Sequence, residues 1–312
     1  MRAITIHNGK WSSDEGLICP APASNETTVA VRYAGICGTD LALADGYYDF
    51  EGIPGHEFVG VAESGPLQGQ RVVADINFGC RQCDLCLGGM SKHCQARNVL
   101  GIKQAPGVFA ERVNVPTQNL HRVNDDLVDE LAVLAEPVAA ALQVLDLMPE
   151  STPEKVVVIG AGRLGLLVAH VLASAGWQVQ VLVRRPARVK HLQNRDIQVV
   201  TQLSPATVPW VVDCSGSVEG FTTALSSLRP RGTLVLKSTL VDLAGVDLSP
   251  VMVKELQVRG SRCGDIARAL SWLAAGHLTP FSTQCYGFSE IDAALAAARQ
   301  PEYFKILLSP ER

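Results

Sequence analysis

The chain has 312 residues, a formal net charge of −4, and 47% hydrophobic and 19% charged residues. That length allows two domains, each with its own core. The charge gives no basis for binding nucleic acid or an anionic membrane, and no apolar run reaches the ~20 residues that span a bilayer.

The opening stretch, "MRAITIHNGKWSSDEG", lacks the basic region and apolar run of a signal peptide. A reducing cytoplasm is then the expected setting, and disulfides are not expected there. The nine cysteines read as metal ligands or buried thiols. In chain order, the first 130 residues or so carry short β-like runs: "AITIHNG", "TTVAVRYAGI", "EFVGVAES", "RVVADI" and "ERVNVP". Gly, Pro and Asn separate them, which predicts a barrel-like β domain. From about residue 134 the grammar changes. "LAVLAEPVAAALQVLDLM" is interrupted by Glu136, Pro137, Gln143 and Asp146 and reads as buried helix. "KVVVIGAG", "QVQVLV", "WVVDCSG" and "GTLVLKST" read as strands, with helical stretches such as "RLGLLVAHVLASAG" and "EGFTTALSSL" between them. That alternation predicts a parallel α/β sheet. "SEIDAALAAAR" then reads as a helix and "YFKILLSP" as a last strand.

"CRQCDLCLGGMSKHC" spaces Cys80, Cys83, Cys86 and Cys94 as C-x2-C-x2-C-x7-C. Four thiolates fill a tetrahedral zinc shell and leave no place for substrate, so a zinc there is structural. An iron–sulfur cluster would use the same ligand type. Arg81, Gln82, Asp84, Ser91 and Lys92 make the segment too polar for four unrelated core thiols.

"YAGICGTD" places Cys37 after a β-like run, and "IPGHEFVG" places His56 beside Glu57. Each alone would read as a buried thiol or a core histidine. Together, Cys-Gly-Thr-Asp, then Gly-His-Glu, then the four-cysteine loop, then "AEPVAAAL" resemble the zinc-dependent medium-chain alcohol dehydrogenases, in their polyol-dehydrogenase-like branch. Order and spacing match along nearly the whole chain. The resemblance implies an α/β fold with a Rossmann nucleotide-binding domain (134–280) inserted in a GroES-like β-rich catalytic domain (1–133, completed by 281–312). It implies an active site between the two and a homodimer or homotetramer supported by the strand "GTLVLKST". It also implies a catalytic zinc on Cys37, His56 and Glu136, a carboxylate replacing the second thiolate of the Cys2His set. Glu57 would lie beside the metal, bound to it or to another ligand. The open position would take an alcohol or carbonyl oxygen, towards which zinc acts as a Lewis acid. Thr39 matches the hydroxyl that begins the family's proton relay, or is an ordinary turn threonine, and Asp40 structures the turn or supports His56.

"VVVIGAGRLG" sets Gly160, Gly162 and Gly165 in a G-x-G-x-x-G pattern between a strand and a helix, with Arg163 and Leu164 inside it. There the glycines permit the tight turn, the approach of a pyrophosphate and close helix packing. After the second strand come Val183, Arg184, Arg185 and Arg188, with no carboxylate to hold ribose hydroxyls. Arginines suit a 2′-phosphate, so NADP(H) is expected over NAD(H); as a solvated helix start they would leave NAD usable. By resemblance, Cys214 and Ser215 in "DCSG", and Lys237 and Ser238 in "LKST", line the cofactor, and Lys305 reaches the pyrophosphate or is a surface lysine. The expected activity is hydride transfer between NADP(H) and a small-molecule alcohol or carbonyl substrate. The competing readings are a non-catalytic NADPH-binding redox sensor and a dehydrogenase of a large ring-bearing, bacteriochlorophyllide-type alcohol.

Overall fold

The computed structural model describes residues 1–149, 154–184, 192, 196–238, 245–278 and 282–312. After a hairpin of Ala3–His7 and Lys10–Asp14, the strands that frame the site are β1 (Glu26–Gly35), β2 (Glu57–Ala62), β3 (Arg71–Ala74), β4 (Arg112–Pro116) and β5 (Leu120–Arg122), with helix α1 (Gly38–Ala44) between β1 and β2. In β1, buried positions alternate with half-buried ones over the first six residues, the period of a strand with one face on a core. Helix α2 (Ala135–Leu142) follows. Next come β6 (Lys155–Ile159), α3 (Arg163–Ser174), β7 (Gln178–Leu182), β8 (Ile197–Val200), β9 (Val208–Asp213), α4 (Val218–Ser227), β10 (Leu228–Leu236) and β11 (Gln257–Gly260). The chain ends with α5 (Ile266–Ala274), β12 (Thr283–Gly287), α6 (Ile291–Arg299) and β13 (Lys305–Ser309).

The chain forms two compact units, Met1–Glu136 with Ile266–Arg312, and Pro137–Asp265. In the first, the main sheet runs in the order β5-β3-β2-β1-β13-β12, with β4 also pairing β1. Pairing is antiparallel except between β12 and β13. The returning segment thus supplies two strands to a sheet begun by the N-terminal residues. The division falls at 136/137 and 265/266, against the expected 133/134 and 280/281. Helix α5 accounts for the second difference: Ile266, Ala269, Leu270 and Leu273 are buried on one face, and the helix packs against the short helix Asp129–Ala132 of the first unit.

The second unit holds a wholly parallel sheet in the order β8-β7-β6-β9-β10-β11. This is the 3-2-1-4-5-6 order of the Rossmann fold, whose crevice opens at the carboxyl ends of strands 1 and 4, here β6 and β9. Four of the five β6 residues are fully buried, as a strand covered on both faces requires. Val157, Ile159, Val211, Phe221, Leu225 and Leu234 are in its core. β10, which contains "GTLVL", is paired on both sides by β9 and β11, so it has no free edge to offer a second subunit. The sheet ends instead at β11, all four of whose residues are exposed. Among the described residues, no helix is long and apolar enough to cross a membrane.

Candidate functional site

β1 and β2 pair with Gly35 opposite Glu57, so the chain leaving β1 delivers Cys37 beside the residues that enter β2. Donor atoms of Cys37, His56 and Glu57 all lie within 4.8 Å of one another. Asp40 connects two of them. It is 0% exposed; its Oδ2 accepts the Cys37 backbone N–H at 2.7 Å, and its Oδ1 lies 3.2 Å from His56 Nδ1. With Nδ1 turned to Asp40, Nε2 is the ring nitrogen left to ligate a metal, the arrangement by which a carboxylate orients a zinc-binding histidine. Burial disfavours a charged His56, but the Asp40 carboxylate and the Cys37 side chain outweigh it and hold the pKa well above the usual histidine value. A metal entering here therefore displaces a proton.

Asp40 Oδ1 and His56 Nδ1 face each other in a buried setting. One sulfur, one imidazole nitrogen and one carboxylate, all within 4.8 Å, are donors zinc accepts, so these residues fit a zinc ion. Glu57 also forms an ion pair with Lys305, and Lys305 donates to the Ile36 carbonyl at 3.2 Å. Gly35 makes room for the pair, since a Cβ there would stand 2.7 Å from both Glu57 Oε2 and Lys305 Cε. Lys305, expected at a pyrophosphate, is 3% exposed, and its ammonium is taken up by Glu57 and Ile36. Glu136, expected as the third ligand, is half-buried in α2 and does not join the Cys37–His56–Glu57 group. Thr39 is half-buried, with Oγ1 3.9 Å from Cys37 Sγ.

The sulfurs of Cys80, Cys83, Cys86 and Cys94 also lie within 4.8 Å of one another, and none of the nine cysteines is in a disulfide. The Cys80 backbone N–H reaches Cys94 Sγ at 3.4 Å, and the Cys83 and Cys94 sulfurs are 3.8 Å apart. Backbone N–H groups of Gln82 and Cys83 pull the Cys80 thiol down to about 6. Burial and then the neighbouring sulfurs push Cys86 up to about 11. Four thiols this close fit one zinc with a filled coordination shell. Cys19, Cys263 and Cys285, read from sequence as buried thiols, are half-buried.

In the second unit the three glycines of the β6–α3 loop differ in what surrounds them. Gly160 has φ 99°, with the Cys214 backbone 2.8 Å from where a Cβ would be. Gly162 caps α3 and would point a Cβ into open space, where a pyrophosphate could approach the helix N-terminus. A Cβ on Gly165 would stand 1.9 Å from the Gly160 carbonyl oxygen. These are the three glycine roles of a dinucleotide loop, and the residues fit such a cofactor. Arg163 and Leu164 begin α3, half-buried. Val183 is buried at the end of β7, donating its N–H to Val200 O at 2.9 Å. Arg184 is occupied by an ion pair with Glu219. Arg185 and Arg188 lie outside the described residues.

Past β9 and β10, Ser238 Oγ accepts the Gly216 N–H at 3.1 Å and donates to Asp213 O at 3.3 Å. Ser215 donates its N–H to Asp213 Oδ1 at 2.8 Å, and burial pushes the Cys214 thiol up to about 12. The segment "GSRCGD" (260–265) meets Lys237 here: the buried ammonium donates to Ser261 Oγ at 3.3 Å and Arg262 O at 2.5 Å. Sequence reasoning missed Glu219, because its partner Arg184 lies 35 residues earlier, past the end of β7. Asp40 was better signalled, standing three residues after the helix N-cap.

The glycine loop yields a prediction. Gly162→Ala puts a methyl into open space, so stability should hold to within about 0.5 kcal/mol while NADPH binding weakens. Gly165→Ala should cost about 1–3 kcal/mol of stability from overpacking. Thermal unfolding with and without NADPH checks both.

Residues 23–125 match the model of the alcohol dehydrogenase GroES-like domain, and residues 156–258 match that of ketopantoate reductase PanE/ApbA. Sorbitol dehydrogenase of Halalkalibacterium halodurans is 27% identical over 93% of each chain. An uncharacterized zinc-type alcohol dehydrogenase-like protein of Haemophilus influenzae is 28% identical over 92% of each. A short chain alcohol dehydrogenase (rspB) of Escherichia coli CFT073, solved with NADH, superposes with a TM-score of 0.89 at 26% identity over 99% of both chains. With a GroES-like first unit, a Rossmann second unit and relatives matched nearly end to end, the chain belongs to the zinc-type medium-chain alcohol dehydrogenases, in their polyol-dehydrogenase-like branch.

Proposed function

We propose that the protein is a zinc-dependent dehydrogenase of a small polyhydroxylated alcohol, acting with NADP(H) in preference to NAD(H). The observation that carries this reading is Asp40, which fixes Cys37 through its backbone and His56 through its ring in a buried site. When bound, zinc supplies Lewis acidity towards the substrate oxygen, and the nicotinamide supplies the hydride donor or acceptor. The chain does the rest. Cys37, His56 and Glu57 present sulfur, nitrogen and oxygen donors; Glu136 joins the set from the resemblance alone. Thr39 Oγ1 is the hydroxyl from which the substrate proton passes outward. The N-terminus of α3 receives the pyrophosphate. The polyol class follows from the sorbitol dehydrogenase relative, and the preference for NADP(H) rests on the arginines after β7. A redox sensor would have no use for the Cys37–His56–Glu57 group. A cytoplasmic setting suits a four-cysteine loop that must stay reduced to bind metal.

Asp40→Asn keeps the side chain's shape and removes its charge. It should cost about 10–100-fold in zinc affinity, and a similar factor in kcat/KM for a polyol substrate. Competition with a chromophoric chelator measures the first and steady-state kinetics the second. A loss below twofold in both would contradict the role given to Asp40.

We propose further that two copies pair through β11. Among the described residues no strand pairs its outer edge, and Met252 (81% exposed), Val253 (80%) and Val258 (42%) add apolar surface near it. Val258→Asp should convert a dimer to a monomer in light scattering coupled to size exclusion; an unchanged mass would refute this interface.

A further inference from the structure

No carboxylate follows β7 in sequence, but the fold brings one there from another element. β6 lies between β7 and β9 in the sheet, so the residues after β7 and those after β9 meet across β6 at its carboxyl end, where a Rossmann crevice opens. There the Arg184 Nη1 is ion-paired with Glu219 Oε2, in the first turn of α4. Its Nη2 donates to the hydroxyl of Ser217, the α4 N-cap, at 3.3 Å.

Arg184 is the described cation nearest in sequence to the place where this fold holds the adenosine ribose. A 2′-phosphate would bind it through charge-assisted hydrogen bonds, yet Glu219 already holds it. We infer that Glu219 is a specificity-determining residue for the cofactor: it competes for Arg184 and sets a negative charge beside the 2′-position, reducing the advantage of NADP(H) over NAD(H). This rests on the dinucleotide-binding reading above.

The pair is built for exchange rather than for stability. Glu219 is 73% exposed and Arg184 47%, and exposed pairs contribute little to folding. A carboxylate with one charge yields the guanidinium to a phosphate near −2. The same carboxylate leaves a free ribose 2′-hydroxyl unopposed, so NAD(H) escapes the penalty.

The test is titration of NADPH and NADH into wild type, Glu219→Gln, Arg184→Gln and the double variant, followed by nucleotide fluorescence at one low ionic strength. Glu219→Gln is expected to tighten NADPH about three- to fivefold, the upper end of one exposed charge pair, and to change NADH less than twofold. Arg184→Gln is expected to weaken NADPH, and the double variant to lose the gain. An unchanged or weaker NADPH affinity in Glu219→Gln, or an equal gain for both nucleotides, would overturn the inference. A wild type that binds neither nucleotide would overturn the dinucleotide reading itself, and this inference with it.

Discussion

One buried carboxylate organises the metal-binding end of this protein. Asp40 has no solvent exposure, and among the described residues its ion-pair partner is His56. Its two oxygens face different elements, the turn that ends β1 and the segment that enters β2. A buried charge is costly unless paired and hydrogen-bonded, so the carboxylate pulls Cys37 and His56 towards a common point. The raised pKa of His56 is the same interaction seen from the other side. The sheet register that sets Gly35 opposite Glu57 adds the third donor.

Lys305 completes the charge balance. Its ammonium is ion-paired with Glu57, one of the three donors of the Cys37–His56–Glu57 group. Because β13 is paired directly to β1, this counter-charge comes from the far end of the chain. Removing Lys305 would strand a buried carboxylate, typically a loss of several kcal/mol. The four-cysteine loop differs in kind: all its donors lie within fifteen residues, and they leave no position open. One site is thus a local staple and the other a product of the whole first unit.

Legibility in the sequence followed that difference. The cysteine loop and the G-x-G-x-x-G turn could be read directly, because each is a contiguous segment whose residue types are dictated by local geometry. The strands of the parallel sheet stood out as short apolar runs, whereas β11 did not: "QVRG" is exposed throughout and has no hydrophobic period. Helix α5 carries a helical period in Ile266, Ala269, Leu270 and Leu273, but its membership of the first unit was not legible, since its partner lies more than a hundred residues earlier. Lys305 and Arg184 were assigned by motif position, and in each case a carboxylate from another strand or helix had already claimed the cation. Side-chain pairing between distant segments is what a linear reading lacks.

The central claim is that Cys37, His56 and their neighbours form a metal site separate from the cysteine loop. Elemental analysis of zinc per chain, on wild type and Cys37→Ser purified alike, tests it most directly. Two independent sites predict about two zincs per wild-type chain and about one in the variant, with the cysteine loop still loaded. One zinc per chain in both proteins would contradict the account and leave only the structural site.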